Sequence, residues 1–316
     1  MDSPRVSVVI PTYNREDFVV AAVDSVLAQT WPSVEVVVVD DGSKDRTPEV
    51  LAPYADRIRF IRQQNTGLAG ARNAGWRASS GEIVGFLDSD DLWDRRLVEE
   101  VVRVFRERPE ADAVALAERE IDPGGNVVGG IHTKRTPGPW FTPEGLIGRD
   151  TGVGSGRPPV VKRTVLDRFG GFDPSFRNYA VDSEMWIRLA FSIRMTILEE
   201  PLVLRRIHPG NVSGDLALDA EYWLRILDRV ETEHPEFTAA NDALMRRTRG
   251  KQHLRIGREL LARSRHDAEL LAPARANLRN AIAEWPRFHR AWLYYVWSWV
   301  APDLYGKFRE AEVRRR

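Results

Sequence analysis

Asp88, Ser89, Asp90 and Asp91 follow one another after an apolar run from Ile83 to Leu87. Two carboxylates two residues apart on a turn can converge on a hard divalent cation such as Mg2+ or Mn2+. Such a cation bridges phosphate oxygens and neutralises a departing diphosphate. Acidic turns are also common as solvated surface, so the motif alone leaves both readings open. Its place after a strand adds weight, because three carboxylates within four residues repel one another and favour a counter-cation. Asp40 closes a second apolar run, Val34 to Val39. Its carboxylate can accept hydrogen bonds from a nucleobase or a ribose hydroxyl, or an Asx turn can form there with Asp41-Gly42. Asn65-Thr66-Gly67, with Arg72 and Asn73 after it, offers backbone donors and a cation near a helix start, suited to phosphate. Neither the Gly-Lys-Ser/Thr of a Walker loop nor the dinucleotide glycine fingerprint is present.

These residues need strand ends and helix starts to position them. Val6 to Ile10 predicts a buried strand ending at Pro11, and Val34 to Val39 a strand buried on both faces. Val19, Val20, Val23, Val26 and Leu27 recur at helical spacing within Asp17 to Gln29. Further strands are predicted over Ile58 to Arg62, Ile83 to Leu87 and Ala113 to Ala117. Helices are predicted over Thr47 to Tyr54, Gly67 to Ser79 and Leu97 to Arg108. This alternation predicts a parallel sheet covered by helices, which binds ligands beyond the carboxyl ends of its strands. The loops at Pro11 to Arg15, Asp40 to Ser43 and Asp88 to Asp91 all fall there. Residues 118–160, rich in Gly and Pro, read as hairpins and a loop, least regular over Gly152 to Pro159. Helices are expected from Val165 to Phe169 and from Asp182 to Phe191, a strand from Ile197 to Arg206, and only helices beyond residue 215.

Six blocks stand in sequence: VSVVIPTYNRE, VEVVVVDDGSKDRT, NTGLAGARNAG, GEIVGFLDSDDLW, GGFDPSFRNYAVDSEMWIRLA and RRIHPGNVS. In order and spacing they resemble the family-2 glycosyltransferases with the GT-A fold, over residues 4–214. The resemblance implies an α/β fold, a GT-A type nucleotide-binding α/β/α sandwich with a mainly parallel sheet. It implies inverting transfer from a nucleotide diphosphate sugar, with uracil the usual base. Pro11, Thr12, Tyr13, Arg15, Asp40, Gly67, Arg72, Asp88 and Ser89 would then surround the nucleotide sugar. Asp40 would take the base, Arg72 the base or diphosphate, and Asp88 the ribose and sugar. Asp90 and His208 would bind the divalent metal, Mn2+ or Mg2+. Asp182 matches the aspartate of the family's Glu-Asp pair and would be the general base, while Trp93 and Glu184 would face or support the acceptor. Two departures matter. Val181 stands where the pair has its glutamate, and the Gln-x-x-Arg-Trp of processive members is absent, Ile256 following Gln252-His253-Leu254-Arg255. Non-processive transfer is expected.

The 316 residues are 43% hydrophobic and 29% charged, an ordinary globular composition. The absence of cysteine excludes disulfides, thiolate metal sites and cysteine nucleophiles. No run reaches the roughly 18 apolar residues that span a bilayer. Residues 1–245 carry 29 Lys and Arg against 39 Asp and Glu, and residues 246–316 carry 17 against 7. We therefore expect a catalytic domain over 1–214 and a basic helical extension over 215–316. Phe288, Trp292, Tyr295 and Trp299 share one helical face near Arg287, Arg290 and Lys307. That face suits either packing on neighbouring helices or an anionic membrane interface. The expected partners are a nucleotide-sugar donor, a glycan or lipid-linked acceptor and an anionic membrane surface, with no nucleic acid. The expected location is cytoplasmic, peripheral at the inner face of the plasma membrane. A sugar-phosphate nucleotidyltransferase would carry a Gly-rich loop with a cation directly after the first strand, and PTYNRE is not one. A non-catalytic glycan-binding scaffold is the other alternative, and the retention of Asp88, Asp90, Asp182 and His208 together argues against it.

Overall fold

The computed structural model describes residues 3–132, 138–148, 157–208 and 215–300. In chain order these form β1 (Val6–Thr12), α1 (Val19–Leu27), β2 (Val34–Asp40), α2 (Thr47–Leu51), β3 (Arg59–Arg62), α3 (Leu68–Ala78), β4 (Ile83–Phe86), β5 (Leu92–Trp93), α4 (Leu97–Glu107), β6 (Ala113–Ile121), β7 (Val127–His132), α5 (Pro143–Ile147), β8 (Val160–Lys162), α6 (Arg163–Phe169), α7 (Val181–Ala190) and β9 (Met195–Arg206). The helices α8 (Leu216–Glu233), α9 (Pro235–Ala240), α10 (Asp242–Arg263), α11 (Leu271–Glu284) and α12 (His289–Val300) follow. The described residues fall into two compact units, one within Met1–Leu146 and Thr151–Asn211, the other within Ile147–Asp150 and Val212–Arg316.

The first unit is built on one sheet in the order β3-β2-β1-β4-β8-β6-β9-β5, with β7 paired to β6. The β1–β2, β1–β4, β2–β3 and β6–β9 ladders are parallel and hold most of the paired residues. Antiparallel β8 joins the two parallel blocks between β4 and β6. The valines explain the centre: Val36 to Val39 are at most 3% exposed, sandwiched between helices, and full burial of one valine is worth about 1.5–3 kcal/mol. The α1 residues Val19, Ala22, Val23 and Val26 and the α4 residues Leu97, Val98, Val101, Val102 and Phe105 supply the facing stripes. β1 runs two residues past the predicted strand, through Pro11. Its ladder to β4 has already ended at Val9, so the missing proline N–H disrupts no bond on that side. Neither β5 nor β8 is apparent in the sequence, since two and three residues are too few to show a period.

In the second unit α10 packs on α8 and α11. Leu261, Ala274 and Leu278 are fully buried, with Leu254, Tyr294, Tyr295 and Trp297 packed around them. A Cβ at Gly257 would lie 2.7 Å from Leu278 Cγ, so the glycine lets α10 approach α11. Asp215 caps α8 by accepting from Ala217 N and Leu218 N. Tyr294, Tyr295 and Trp297 thus face helices, whereas Trp292, Leu293, Val296, Trp299 and Val300 are 49–76% exposed. Among the described residues no helix is long and apolar enough to cross a membrane.

Candidate active site

The loops after β1 and β2 are stitched together by their own polar groups. Asn14 N donates to Ser43 Oγ at 2.9 Å, Lys44 N to Asn14 Oδ1 at 2.8 Å and Arg15 N to Thr47 Oγ1 at 2.9 Å. Pro11 and Thr12 are buried beneath them, and Tyr13 is exposed. Asp40 is fully buried. One carboxylate oxygen accepts from Ser43 N at 2.9 Å, as in the turn reading, while Oδ2 makes no hydrogen bond and has Arg62 Nε 3.2 Å away. Thr12 Oγ1 is likewise buried without a hydrogen-bond partner among the described residues. A buried acceptor and a buried hydroxyl at the carboxyl ends of adjacent strands are what a polar ligand edge would satisfy.

The 65–67 loop is organised differently from the phosphate cradle expected. The Asp41 carboxylate accepts from Thr66 N at 2.9 Å, Gly67 N at 2.8 Å and Gln63 Nε2 at 2.7 Å. Leu68 N donates to Asn178 Oδ1 at 2.8 Å and Ala69 N to Arg177 O at 2.9 Å. The backbone donors at the start of α3 are therefore already used, and a side-chain carboxylate occupies the role assigned to a phosphate. Gly67 is a structural corner, with φ of +84° and Asn178 Oδ1 3.0 Å from where a Cβ would be. What α3 delivers is Arg72. Its guanidinium, buried against the Phe172 ring 5.1 Å away, donates to Asp182 Oδ1 at 2.6 Å and to Asp88 Oδ1 at 2.8 Å. The neighbouring Asn73 latches the Gly170-Gly171-Phe172 segment by exchanging bonds with Phe172 O (2.7 Å) and Phe172 N (2.9 Å).

The acidic turn after β4 is held from two sides. Arg206, at the end of β9, donates its N–H to Asp91 Oδ1 at 2.7 Å and its Nε to Asp90 O at 2.9 Å. Two residues on, His208 Nε2 comes 3.1 Å from Asp90 Oδ2 and stacks on Phe18 with centroids 4.7 Å apart. Arg15 Nε lies 3.5 Å from the same Asp90 oxygen. Asp90 and His208, 118 residues apart in sequence, thus lie side by side. Among the described residues no third His, Cys, Asp or Glu completes a metal cluster. This pair fits a Mg2+- or Mn2+-type cation that takes its other ligands from phosphate and water. Ser89 is buried within the turn. The residues after His208, Pro209 to Ser213, lie outside those described.

Arg157 holds the other side of the turn, and sequence reasoning missed it. Its Nη1 pairs with Asp91 Oδ2 and, at 3.1 Å, with Asp88 Oδ2, and its Nε donates to Glu118 Oε2 at 2.8 Å. Glu118 is fully buried on β6. The one available signal was Glu118 itself, an acid directly after the apolar run Ala113 to Ala117 that must find a cation when buried.

Asp182 opens α7 after Ala180, which has a left-handed φ of +49°, an uncommon conformation for a residue with a Cβ. Burial pushes its carboxyl up to about 6, outweighing the attraction of Arg72, with the charge of Asp88 adding to the rise. Burial also drives Asp91 up to about 7 against the pull of Arg157, with the Asp88 and Asp90 charges adding to it. Burial would raise Asp88 too, but Arg72 and Arg157 outweigh it and hold that carboxyl below the usual range. Asp182 and Asp91 are thereby driven up while Asp88 between them in the network is held down, a pattern of acid–base sites. Glu184, expected to face or support the acceptor, is 2% exposed and bound to Arg188 Nε at 2.6 Å, and Arg188 also donates to Phe169 O and Gly171 O, a supporting position. Trp93 is core, 4% exposed, its ring 2.6 Å from where a Cβ on Gly85 would lie. Its part is support of the sheet beneath the turn.

A sequence model described as glycosyl transferase family 2 matches residues 7–170. An uncharacterized glycosyltransferase of Nostoc sp. is 33% identical over 217 residues, which span about two thirds of each protein (66% of this chain, 66% of that one). Among solved structures, S. aureus TarS 1–349 superposes with a TM-score of 0.62 at 17% identity, covering 98% of this chain and 91% of that one. It is also known in complex with UDP-GlcNAc. The mannosyltransferase PcManGT of Pyrobaculum calidifontis, in complex with GDP-Man and Mn2+, superposes with a TM-score of 0.57 at 20% identity, covering 97% and 87%. The structural likenesses bear on the fold, and the family model on descent. The chain belongs to glycosyl transferase family 2 and has the GT-A type α/β fold with a C-terminal helical region.

Proposed function

We propose that the protein transfers a sugar, with inversion, from a nucleotide diphosphate sugar to an acceptor hydroxyl in one direct displacement. UDP is the donor nucleotide we infer. The observation that carries this reading is the meeting of three parts: Asp90 with His208, Arg72 between Asp88 and Asp182, and the buried Asp40 carboxylate, paired only with the half-exposed Arg62 on one oxygen, at the neighbouring strand end. Asp40 accepts from the base, and the exposed Tyr13 ring lies on the same side of the sheet for stacking. Asp182 takes the proton of the acceptor hydroxyl, and the resulting oxygen attacks the anomeric carbon as its bond to the diphosphate oxygen breaks. Arg72 and Arg15 balance the charge that develops on the leaving diphosphate. Asp90 and His208 would hold a Mn2+ or Mg2+ ion, which supplies Lewis-acid stabilisation of the same oxygens. Support for UDP and Mn2+ comes from the neighbours crystallised with UDP-GlcNAc and with GDP-Man and Mn2+.

A thermal-shift panel of nucleotide sugars, with and without Mn2+, tests the reading, because a ligand at 100 times its Kd stabilises by about 2.7 kcal/mol. UDP-sugars with Mn2+ are expected to raise the melting temperature, and Asp90→Ala to lose the Mn2+-dependent part while still folding. His208→Ala should lose less. Undiminished Mn2+-dependent stabilisation in Asp90→Ala would rule out the metal assignment.

For the helical region we infer peripheral attachment to an anionic membrane surface, which suits a lipid-linked or cell-surface glycan acceptor. Trp292, Leu293, Val296, Trp299 and Val300 form one exposed apolar stripe on α12. Residues 285–300 contain no acid, and Arg287 and Arg290 are exposed beside the stripe. An aromatic face with a cationic rim matches an anionic headgroup layer.

A further inference from the structure

Arg157 itself has been given no part in holding donor, acceptor or metal, yet it is engaged by three carboxylates, one of them the donor-side Asp88. Its side chain is 11% exposed, and it meets Asp88, Asp91 and Glu118 at once. Charges alternate along a line that starts in it: Glu118 to Arg157 at 2.8 Å, Arg157 to Asp88 at 3.1 Å, Asp88 to Arg72 at 2.8 Å and Arg72 to Asp182 at 2.6 Å. The line runs from β6 through the turn after β4 and through α3 to the first turn of α7. A second link closes it into a loop. The Arg157 carbonyl accepts from Trp186 Nε1 at 2.7 Å, and Trp186 lies one helical turn beyond Asp182.

We propose that Arg157 is a positioning residue for transfer: it holds Asp88 in the orientation that keeps Arg72 on Asp182, so that donor and base are held in one frame. Asp88 has two carboxylate oxygens, and each has its own guanidinium, Arg72 on Oδ1 and Arg157 on Oδ2. Without Arg157 the Asp88 carboxylate can rotate about its χ angles, and Arg72 follows it. The base then loses the partner that fixes its oxygen, and a displacement of about 1 Å at a reacting group can cost ~10²-fold in rate. The competing role is plain neutralisation of Glu118, a carboxylate buried on a strand, for which any arrangement that removes the burial problem would serve.

The proposal rests on the transfer reading above, and the test separates the two. Arg157→Met alone takes the nearest cation from buried Glu118 and Asp91, leaving Glu118 only Arg205 at 3.8 Å, so the informative variants are Arg157→Lys and the double variant Arg157→Met with Glu118→Met. The double variant removes the Glu118 charge together with its cation, a change proteins often tolerate; buried Asp91 also loses Arg157, so the melting temperature is read first. Each is compared with wild type for melting temperature, for stabilisation by UDP with Mn2+, and for kcat and donor KM. The expected result is a folded double variant that still binds UDP and whose kcat is lower by ~10- to 10²-fold, a larger change than in its UDP affinity. Arg157→Lys keeps the charge but cannot bridge Asp88 and Glu118 with one planar group, and is expected to lower kcat with donor KM unchanged. Wild-type kcat in the double variant would overturn the proposal and leave Arg157 as a charge partner of Glu118. If the double variant does not fold, Arg157→Lys decides: wild-type kcat overturns the proposal, and a lower kcat at unchanged KM supports it. Failure of the wild-type protein to bind or use any nucleotide sugar would instead count against the transfer reading.

Discussion

Asp182 joins two properties that pull against each other, burial and a negative charge. Its carboxyl, driven up to about 6 by burial, binds its proton more tightly when folded than in the unfolded chain, where about 3.9 is usual. A raised acid contributes stability below the unfolded value and loses it as pH rises through the folded one. Asp182→Asn mimics the protonated side chain and can still accept from Arg72. It is therefore expected to be more stable than wild type at neutral pH, by on the order of 1–3 kcal/mol, with the gap closing near about pH 4. Thermal melts of both proteins across that range check the sign, and equal stability at every pH would contradict it. In wild type the acid limb of kcat/KM is expected near 6, and Asp182→Asn should lose at least ~10²-fold in kcat. Residues at this scale are legible where chemistry repeats a pattern: Asp88 and Asp90 in an acidic turn, Asp182 and His208 through their resemblance to family blocks. Arg157 is not legible. It lies in a Gly- and Pro-rich stretch without period, and its meaning depends on three acids from elsewhere in the chain.

The elements show why the same loop supports two opposite assignments. Asn65 to Gly67 looks like an anion-binding turn because free backbone donors precede a helix, and the fold fills those donors with Asp41. Asp41 and Asp40 are adjacent in sequence but point to different tasks, one anchoring α3 and one capping the turn at Ser43 beside Arg62. Sequence pattern cannot assign the two, since strand alternation says only that they face opposite ways. The valine strand and the α1 and α4 stripes are legible because burial repeats over five or more residues, whereas β5 and β8 are set by their partners β9, β4 and β6. Gly67→Ala tests the corner. A Cβ at φ +84° costs roughly 1–2 kcal/mol and meets Asn178, so the melting temperature should fall. Because α3 carries Arg72, kcat should fall further than stability predicts, while Ala272→Gly at an exposed position on α11 should leave kcat unchanged. A Gly67→Ala protein with full stability and full activity would contradict the anchoring role of this turn.

At the scale of the whole chain, a zero net charge conceals an acidic first part and a basic last part. The structure gives the last part a shape: several cations pair with acids of their own unit, as Arg249 does with Asp228 and Arg263 with Asp215, so the charge excess is not all available to a partner. The α12 stripe is available, and Trp292→Ser with Trp299→Ser should weaken co-sedimentation of the full chain with anionic vesicles without lowering its melting temperature, both rings being about half exposed or more. Equal binding by the variant, or none by wild type at low salt, would turn the stripe over to another partner. Transfer itself is the property that joins all these parts, and the anomeric proton of the sugar reports it directly. Proton NMR of a turning-over UDP-sugar mixture with Mn2+ and acceptor should show a product of opposite anomeric configuration to the donor in wild type. The Asp182→Asn protein should give no such signal while still binding UDP. A product that retains the donor's configuration, or product formation by Asp182→Asn at the wild-type rate, would contradict inverting displacement with Asp182 as its base.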